Sequence, residues 1–558
     1  MKSTDLRFLW AAVLGLAACA PGEAPEATTA PVPASLLAVA DTATILKHIR
    51  VLAADSLMGR LPGSEGEEKT VAYLEGQFKA LGLQPGNTDG TFIQEVPLVG
   101  ITVKGAPSLI LAKGGRRLTL KWRDDFVAWT KHVAPTAELN KSGLVFVGYG
   151  TEAPEFGWDD FKGVDVTGKT LVMLVNDPPL ADTALFGGRR MTYYGRWTYK
   201  YAQGMRHKAA GVLLVHQTDR AGYPFSVLQG STSEQFDLVT PDKNMDRSAV
   251  EGWITSEQAE ALFKLAGEDF DSLQARAATK EFTPVPLGVT ASIRLENTLR
   301  TIASRNVVAR LEGSDPLLKD QYVIYTAHWD HFGIGTPVNG DSIYNGAADN
   351  ASGTAGLLTV AKAFAELKTP PKRSILFLAV TAEEQGLLGS RYYTVQPIYP
   401  LAKTVAEINM DVLNTWGRAK DLVVIGLGAS ELDDYAAAAA AAQGRVLKGD
   451  AEPEKGFYYR SDHFNFAKQG VPAFDPESGT EYIGQPADYG MKKRDEYTSH
   501  DYHQPQDEIK PDWDLSGAVQ DLQLYLMMGY RIANAATMPQ WRAGNEFKAT
   551  RDKMLQAP

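Results

Sequence analysis

A chain of 558 residues is longer than one hydrophobic core usually serves, so two or more packed units are expected. With 44% hydrophobic and 22% charged residues, the composition excludes a disordered chain and fits a globular protein able to bury a sizeable core. Lys and Arg total 56 against 67 Asp and Glu, a net charge of -11, which argues against nucleic acid as a partner and leaves carboxylates that can hold cations.

The chain opens with Lys2 and Arg7, an apolar stretch over residues 8–18, and Cys19. That run is too short to span a bilayer and has the layout of an export signal occupying residues 1–18. Leu16-Ala17-Ala18-Cys19 resembles a bacterial lipobox. The resemblance implies that Cys19 is acylated and becomes the new N-terminus. Ala20 follows where inner-membrane retention would use aspartate, which implies an outer-membrane anchor facing the periplasm. Cys19 is the only cysteine, so no internal disulfide can form. A plain export signal is the alternative. Residues 19–40 are mostly Ala, Pro, Glu and Thr at first and predict a flexible tether.

Residues 41–130 are expected to form the N-terminal part of the main unit. Within them a helix is predicted over 65–81, where Val71, Leu74, Phe78 and Leu81 share a face and Gly82 follows as the cap. Over 131–287 the pattern changes to short β-rich runs such as 144–147 and 171–175, read as an inserted domain. From Asn306 apolar runs at 322–327, 375–381, 405–410 and 422–425 alternate with helical stretches such as 351–367. This alternation predicts an α/β fold with a mostly parallel central sheet and flanking helices over 288–540, followed by a tail at 541–558. The alanine-rich run 436–442 predicts an ordinary surface helix.

In such sheets ligands gather at the carboxyl ends of strands. His328 ends the run 322–327, with Asp330 two residues on. Asp349 sits among small residues at a helix start, where it could bridge two cations or merely cap the helix. Glu383 and Glu384 follow the run 375–381 and point in different directions, so one can ligate while the other moves a proton. Asp411 ends the run 405–410, and His503 lies far downstream. Two imidazoles and three carboxylates are a donor mixture that suits paired Zn²⁺.

Thr326-Ala327-His328-Trp329-Asp330, the run Gly346 through Gly353, Glu383 through Ser390, Asn409-Met410-Asp411 and Tyr502-His503 together resemble the co-catalytic zinc metallopeptidase family of bacterial leucyl aminopeptidases and glutamate carboxypeptidases. The likeness covers about 52–99 and 306–533. It implies two zinc ions per chain, one held by His328 and Asp411, the other by Glu384 and His503, with Asp349 between them. It further implies that Glu383 is the general base, that Asp330 orients His328, that Tyr482 polarises the scissile carbonyl, and that peptides are the substrates. His331 and His463 are expected to be neighbours rather than ligands. Gly59-Arg60-Leu61-Pro62-Gly63-Ser64-Glu65-Gly66 resembles the family's N-terminal signature, with a structural role. Lys208-Ala209-Ala210-Gly211-Val212-Leu213-Leu214-Val215 makes the insert resemble a protease-associated domain. An exported aminopeptidase is the leading expectation. A carboxypeptidase or dipeptidase, using Arg460 or Arg494 to grip a carboxylate, stays open. So do a single-zinc glutaminyl cyclase and a receptor-like protein without catalysis.

Overall fold

The computed structural model describes residues 29–179, 185–188, 190–221, 223–230 and 234–556. The export signal and Cys19 lie outside the described residues. Three strands form the centre: Tyr322–His328 runs parallel to Ser374–Val380 on one side and to Thr404–Asn409 on the other. Every residue of the three is buried. Parallel strands are covered on both faces, which is why these segments read as nearly unbroken apolar runs. Val323, Tyr325, Ala327, Ile375, Phe377 and Ala379 enter one apolar cluster, which also holds residues of the helices Glu65–Ala80, Gly353–Ala365 and Ser516–Asn534. Tyr322, Ile324, Leu376, Leu378 and Val380 enter a second cluster on the opposite face. Truncating one of these large side chains to alanine costs about 2–5 kcal/mol.

The helix expected over 65–81 spans Glu65–Ala80; Ser64 caps it by accepting from the amides of Gly66 and Glu67, and Val71, Leu74 and Phe78 are buried. At its side of the sheet Val285–Leu311 pairs antiparallel with Ser374–Val380 and with Ile93–Val103. The result is a mixed, mostly parallel sheet. Residues 30–40, expected as the end of a tether, are instead packed: Ala34–Leu37 is helical, Leu36 is fully buried, and Arg531 donates to the carbonyl of Ala30 at 3.0 Å. The few apolar residues of this stretch suffice because a groove beside Ser516–Asn534 receives them. The alanine-rich helix, Leu432–Ala442, also departs from its surface reading, since Ala436, Ala439 and Ala440 are fully buried in the main cluster.

A second sheet has its own apolar clusters on both faces. Thr136–Phe146, Thr170–Leu174, Gly211–His216 and Val250–Thr255 pair parallel in turn. This sheet also draws in Leu109–Lys113, Arg116–Leu120 and Phe126–Trp129, ahead of the 131–287 stretch in which the sequence pattern changes. Arg116–Leu120 is exposed along most of its length, so its apolar signal is weak. The 27-residue strand Val285–Leu311 serves both sheets, pairing first with Thr136–Phe146 and then with Ile93–Val103. Among the described residues no helix is long and apolar enough to cross a membrane.

Candidate metal centre

The carboxyl ends of the three central strands bring the predicted ligands together. His328 is the last residue of its strand, and its Nε2 lies 3.2 Å from Asp349 Oδ1 and 3.2 Å from Asp411 Oδ1. His503 Nε2 lies 3.4 Å from Asp349 Oδ2 and 3.1 Å from Glu384 Oε2. The two oxygens of Asp349 thus address different imidazoles. Donor atoms sharing one tetrahedral zinc at about 2.0–2.1 Å lie roughly 3.3 Å apart, so these separations fit ions shared between the groups. His331 differs: its Nδ1 is 2.6 Å from Glu384 Oε1, a hydrogen-bond distance, so it orients Glu384 as a neighbour.

The loops that carry the ligands are tightly built. In the turn before helix Gly353–Ala365, Asn350 Oδ1 accepts from the amides of Gly353 at 2.8 Å and Val412 at 3.1 Å, while its Nδ2 donates to the Met410 carbonyl at 2.9 Å. Asn350 therefore both caps the helix and ties the Asp349 turn to the Asp411 loop. A Cβ at Gly353 would stand 2.2 Å from the Met410 carbonyl, so only glycine allows this approach. Ala382, Val412 and His503 take left-handed backbone angles beside the ligands. Such conformations cost about 1–3 kcal/mol each and persist where surrounding bonds over-determine them.

Glu383 Oε2 lies 3.9 Å from His328 Nε2, close to the cluster without joining a ligand pair. Asp330 is placed differently from expectation. Its carboxylate is 3.8 Å from His328 Nδ1, which instead faces the Asp330 carbonyl at 3.3 Å, and its Oδ1 accepts from the Glu383 amide at 3.1 Å. Asp330 thus orients the Glu383 backbone. Tyr482 is not brought to the cluster: it is buried beside Trp416 and Tyr489, and its hydroxyl donates to Asn414 at 3.2 Å. His463 is buried against Tyr458 and Asp475, outside the ligand set.

Several contributing residues carried little signal in the chain. Tyr502, 42% exposed, stacks on His503 with ring centroids 3.7 Å apart, and desolvation of its phenol together with the charges of Asp349, Glu384, Glu383 and Asp411 pushes it above the usual range. Its adjacency to His503 was the available clue. Ser461 donates to Asp411 Oδ2 at 2.7 Å. Asp507 accepts from the amides of Ala348 at 2.9 Å and Asp349 at 3.0 Å.

The electrostatics are those of a cation site. Burial would lower the His328 pKa, but the charges of Asp411 and Glu383 and hydrogen bonds to Asp349 and Asp411 hold it well above its ordinary value. His503 is pushed up to about 10 against its burial, chiefly by Glu384 and Asp349. Burial and the Asp349 charge oppose ionisation of Glu384, yet His503 and His331 hold it at about 2. Burial, then the Glu384 and Asp411 charges acting against His328, push Glu383 well above the carboxylate range. Buried charge of one sign is costly without a counter-charge. The donor set and the unpartnered, buried Nε2 of His503 fit zinc.

Residues 306–527 match the model of Peptidase family M28. This segment is thus similar to peptidase family M28. The matched segment holds all five candidate ligands. Curated relatives include the mouse protein Aminopeptidase NAALADL1, 35% identical over 132 residues, 23% of this chain and 16% of that one. Another is Probable leucine aminopeptidase 2 of Arthroderma benhamiae, 29% identical over 189 residues, 32% of this chain and 35% of that one. The chain thus spans about a sixth to about a third of the length of these relatives. Among solved structures, an aminopeptidase from Aneurinibacillus sp. strain AM-1 superposes with a TM-score of 0.50 at 20% identity, covering 91% of this chain and 97% of that one. That likeness is one of fold and extends over both sheets.

Proposed function

We propose that the chain is a zinc aminopeptidase that removes N-terminal residues from peptides with two metal ions and Glu383 as general base. The observation that carries this reading is Asp349, whose Oδ1 faces His328 and whose Oδ2 faces His503. Zinc bound at these residues would polarise a carbonyl and lower the pKa of a water from about 15.7 toward about 7. Glu383, held by Asp330 at its amide and kept basic by burial and by the Glu384 and Asp411 charges, takes the proton of the attacking water and delivers it to the departing amine. The stacking of Tyr502 on His503 supports Tyr502, rather than Tyr482, as the donor to the carbonyl oxygen as charge builds there.

The assay uses aminoacyl and acyl-blocked chromogenic substrates with and without chelator, and metal analysis beside it. Release from the free aminoacyl substrate, lost with chelator and restored by zinc, is expected at two zinc ions per chain. Chelator-insensitive activity sinks the reading, and a single zinc favours the glutaminyl cyclase. Absence of any turnover after zinc is restored favours the receptor-like alternative.

A carboxypeptidase or dipeptidase reading is favoured by one feature at the seam between the two sheets. There Tyr193 packs against Tyr459 and Phe464, and nearby Arg196 has a buried Nε without a hydrogen-bond partner. The other candidates are engaged: Arg494 with Glu452, Arg460 with the Lys455 carbonyl. Faster cleavage of free-acid dipeptides than of their amides decides for it. The same seam supports a substrate-selecting role for the insert as a protease-associated domain. The residues around Cys19 support lipid anchoring at the outer membrane, facing the periplasm; Cys19→Ser should then move the protein from the membrane to the soluble fraction.

A further inference from the structure

Arg60 is 1% exposed and, among the described residues, makes no ion pair. Its guanidinium donates instead to four main-chain carbonyls. Nε reaches Trp329 at 2.8 Å, Nη1 reaches Leu52 at 2.6 Å and Asn345 at 2.5 Å, and Nη2 reaches Gly346 at 3.0 Å. The Arg60 carbonyl accepts in turn from the amide of His331 at 3.3 Å. Trp329 lies between His328 and Asp330, and Asn345 and Gly346 open the turn that ends at Asp349. One side chain therefore holds the His328 loop and the Asp349 turn, while the Arg60 main chain supports His331, the group that orients Glu384.

The opposite side of that turn is held by an anion. The carbonyl of Asp507 accepts from the Ala347 amide at 2.9 Å, and its carboxylate accepts from the amides of Ala348 and Asp349. Over five residues the carbonyls are drawn to a buried cation and the amides to a buried carboxylate. Charge-assisted hydrogen bonds are roughly twice as strong as neutral ones. Burial lowers the Arg60 pKa to about 10, while the charges of Asp330, Asp507, Asp349 and Glu384 act the other way, so its charge is set against the cluster itself. The approach to Arg60 is strained for this end. Met58, Gly59 and Arg60 are successive left-handed residues, and a Cβ at Gly59 would stand 2.5 Å from the Gly333 carbonyl.

We infer that Arg60 and Asp507 are opposed positioning residues that set the spacing of the metal centre by holding the Asp349 turn between them. This rests on the metal-centre reading above, though not on which peptide bond is cut.

The test is cobalt(II) binding to the full chain, followed by visible absorption and chelator competition, for wild type, Arg60→Lys, Asp507→Asn and the double variant. Arg373→Lys is the control. Arg373 is equally buried and grips Gln321, Ile532 and Ala535 in the same unit, away from the cluster. Both single variants should lose at least tenfold in affinity for the weaker cobalt ion and shift its bands, with the double variant losing less than the product of the two. Arg373→Lys should lower the melting temperature and leave cobalt binding as in wild type. Wild-type affinity and spectra in folded Arg60→Lys and Asp507→Asn would overturn the inference; if Arg60→Lys fails to fold, Asp507→Asn decides alone. A wild type that binds cobalt normally but cleaves no peptide defeats the peptidase reading and leaves this one standing. A wild type that binds no cobalt defeats both.

Discussion

Each of the two sheets buries charge beyond the ends of its parallel strands, with opposite outcomes. In the insert, Lys200 is fully buried and donates to the carbonyls of Tyr149 at 2.5 Å and Asn176 at 3.2 Å. Asp177 accepts from Thr192, and Asp160 from the Thr151 amide and the Trp158 indole. Burial pushes Lys200 down to about 8 and both acids up to about 6, while the opposite charges pull each back. Arg190 also acts on Asp177, so two cations face two acids and the signs balance there. At the ends of the central strands Asp349, Glu383, Glu384 and Asp411 outnumber two histidines, and the histidines are driven up instead. Excess of one sign, rather than burial, distinguishes a site waiting for cations from one already compensated.

That contrast can be broken by variants on either side. The largest effect is expected for Asp349→Asn, which should lose the metal ions and bring turnover to background; zinc content by mass spectrometry at the wild-type level would refute the bridging role. Glu383→Gln should retain zinc and lose about 10²–10⁴ in kcat. Near-normal turnover there would remove Glu383 as the base. On the compensated side, Lys200→Met should leave two buried acids uncovered and cost about 3–5 kcal/mol of stability in chemical denaturation, without changing zinc per folded chain. Lost zinc per folded chain would mean that the charges of the insert also shape the metal centre.

His48, outside both regions, gives the pH arm. Burial lowers its pKa to about 4 from 6.5, so the unfolded chain binds the proton more readily. Its contribution is therefore full above pH 6.5 and falls away as pH drops toward 4. His48→Gln should flatten that decline by about 2 kcal/mol at pH 5, read from denaturation midpoints across pH. The smallest change is expected for Tyr482→Phe, which loses one hydrogen bond to Asn414, worth about 1 kcal/mol, and keeps its turnover within about twofold. A tenfold fall in kcat would return to Tyr482 the polarising role that its neighbours argue against.

The strands and the five ligands were legible because buried parallel strands are continuously apolar and their ends are where charged residues interrupt them. Tyr322–His328 and Ser374–Val380 lie within a residue of their expected bounds. What could not be read were contacts closed by tertiary packing. Tyr502 differs from Tyr482 in standing next to His503 in the chain, but only the fold stacks its ring on that imidazole. Arg60 lies 285 positions from Asn345, so its grip on the Asp349 turn has no local pattern. The strands over 109–129 escaped for the reverse reason: exposed Arg116 and Arg117 blur the alternation that marks a strand.

The strand Val285–Leu311 has a consequence for how the molecule comes apart. Its two halves are zipped into different sheets, and the chain enters the insert through Ile93–Val103, which pairs with the exit over residues 297–307. Entry and exit therefore form a stiff stem of paired backbone instead of a slack linker. Melting the insert peels hydrogen bonds from a strand whose continuation borders Ser374–Val380, the strand that presents Glu383 and Glu384. The molecule should consequently unfold in one cooperative step, and heat damage begun in the insert should reach the zinc ligands without an intervening joint to stop it.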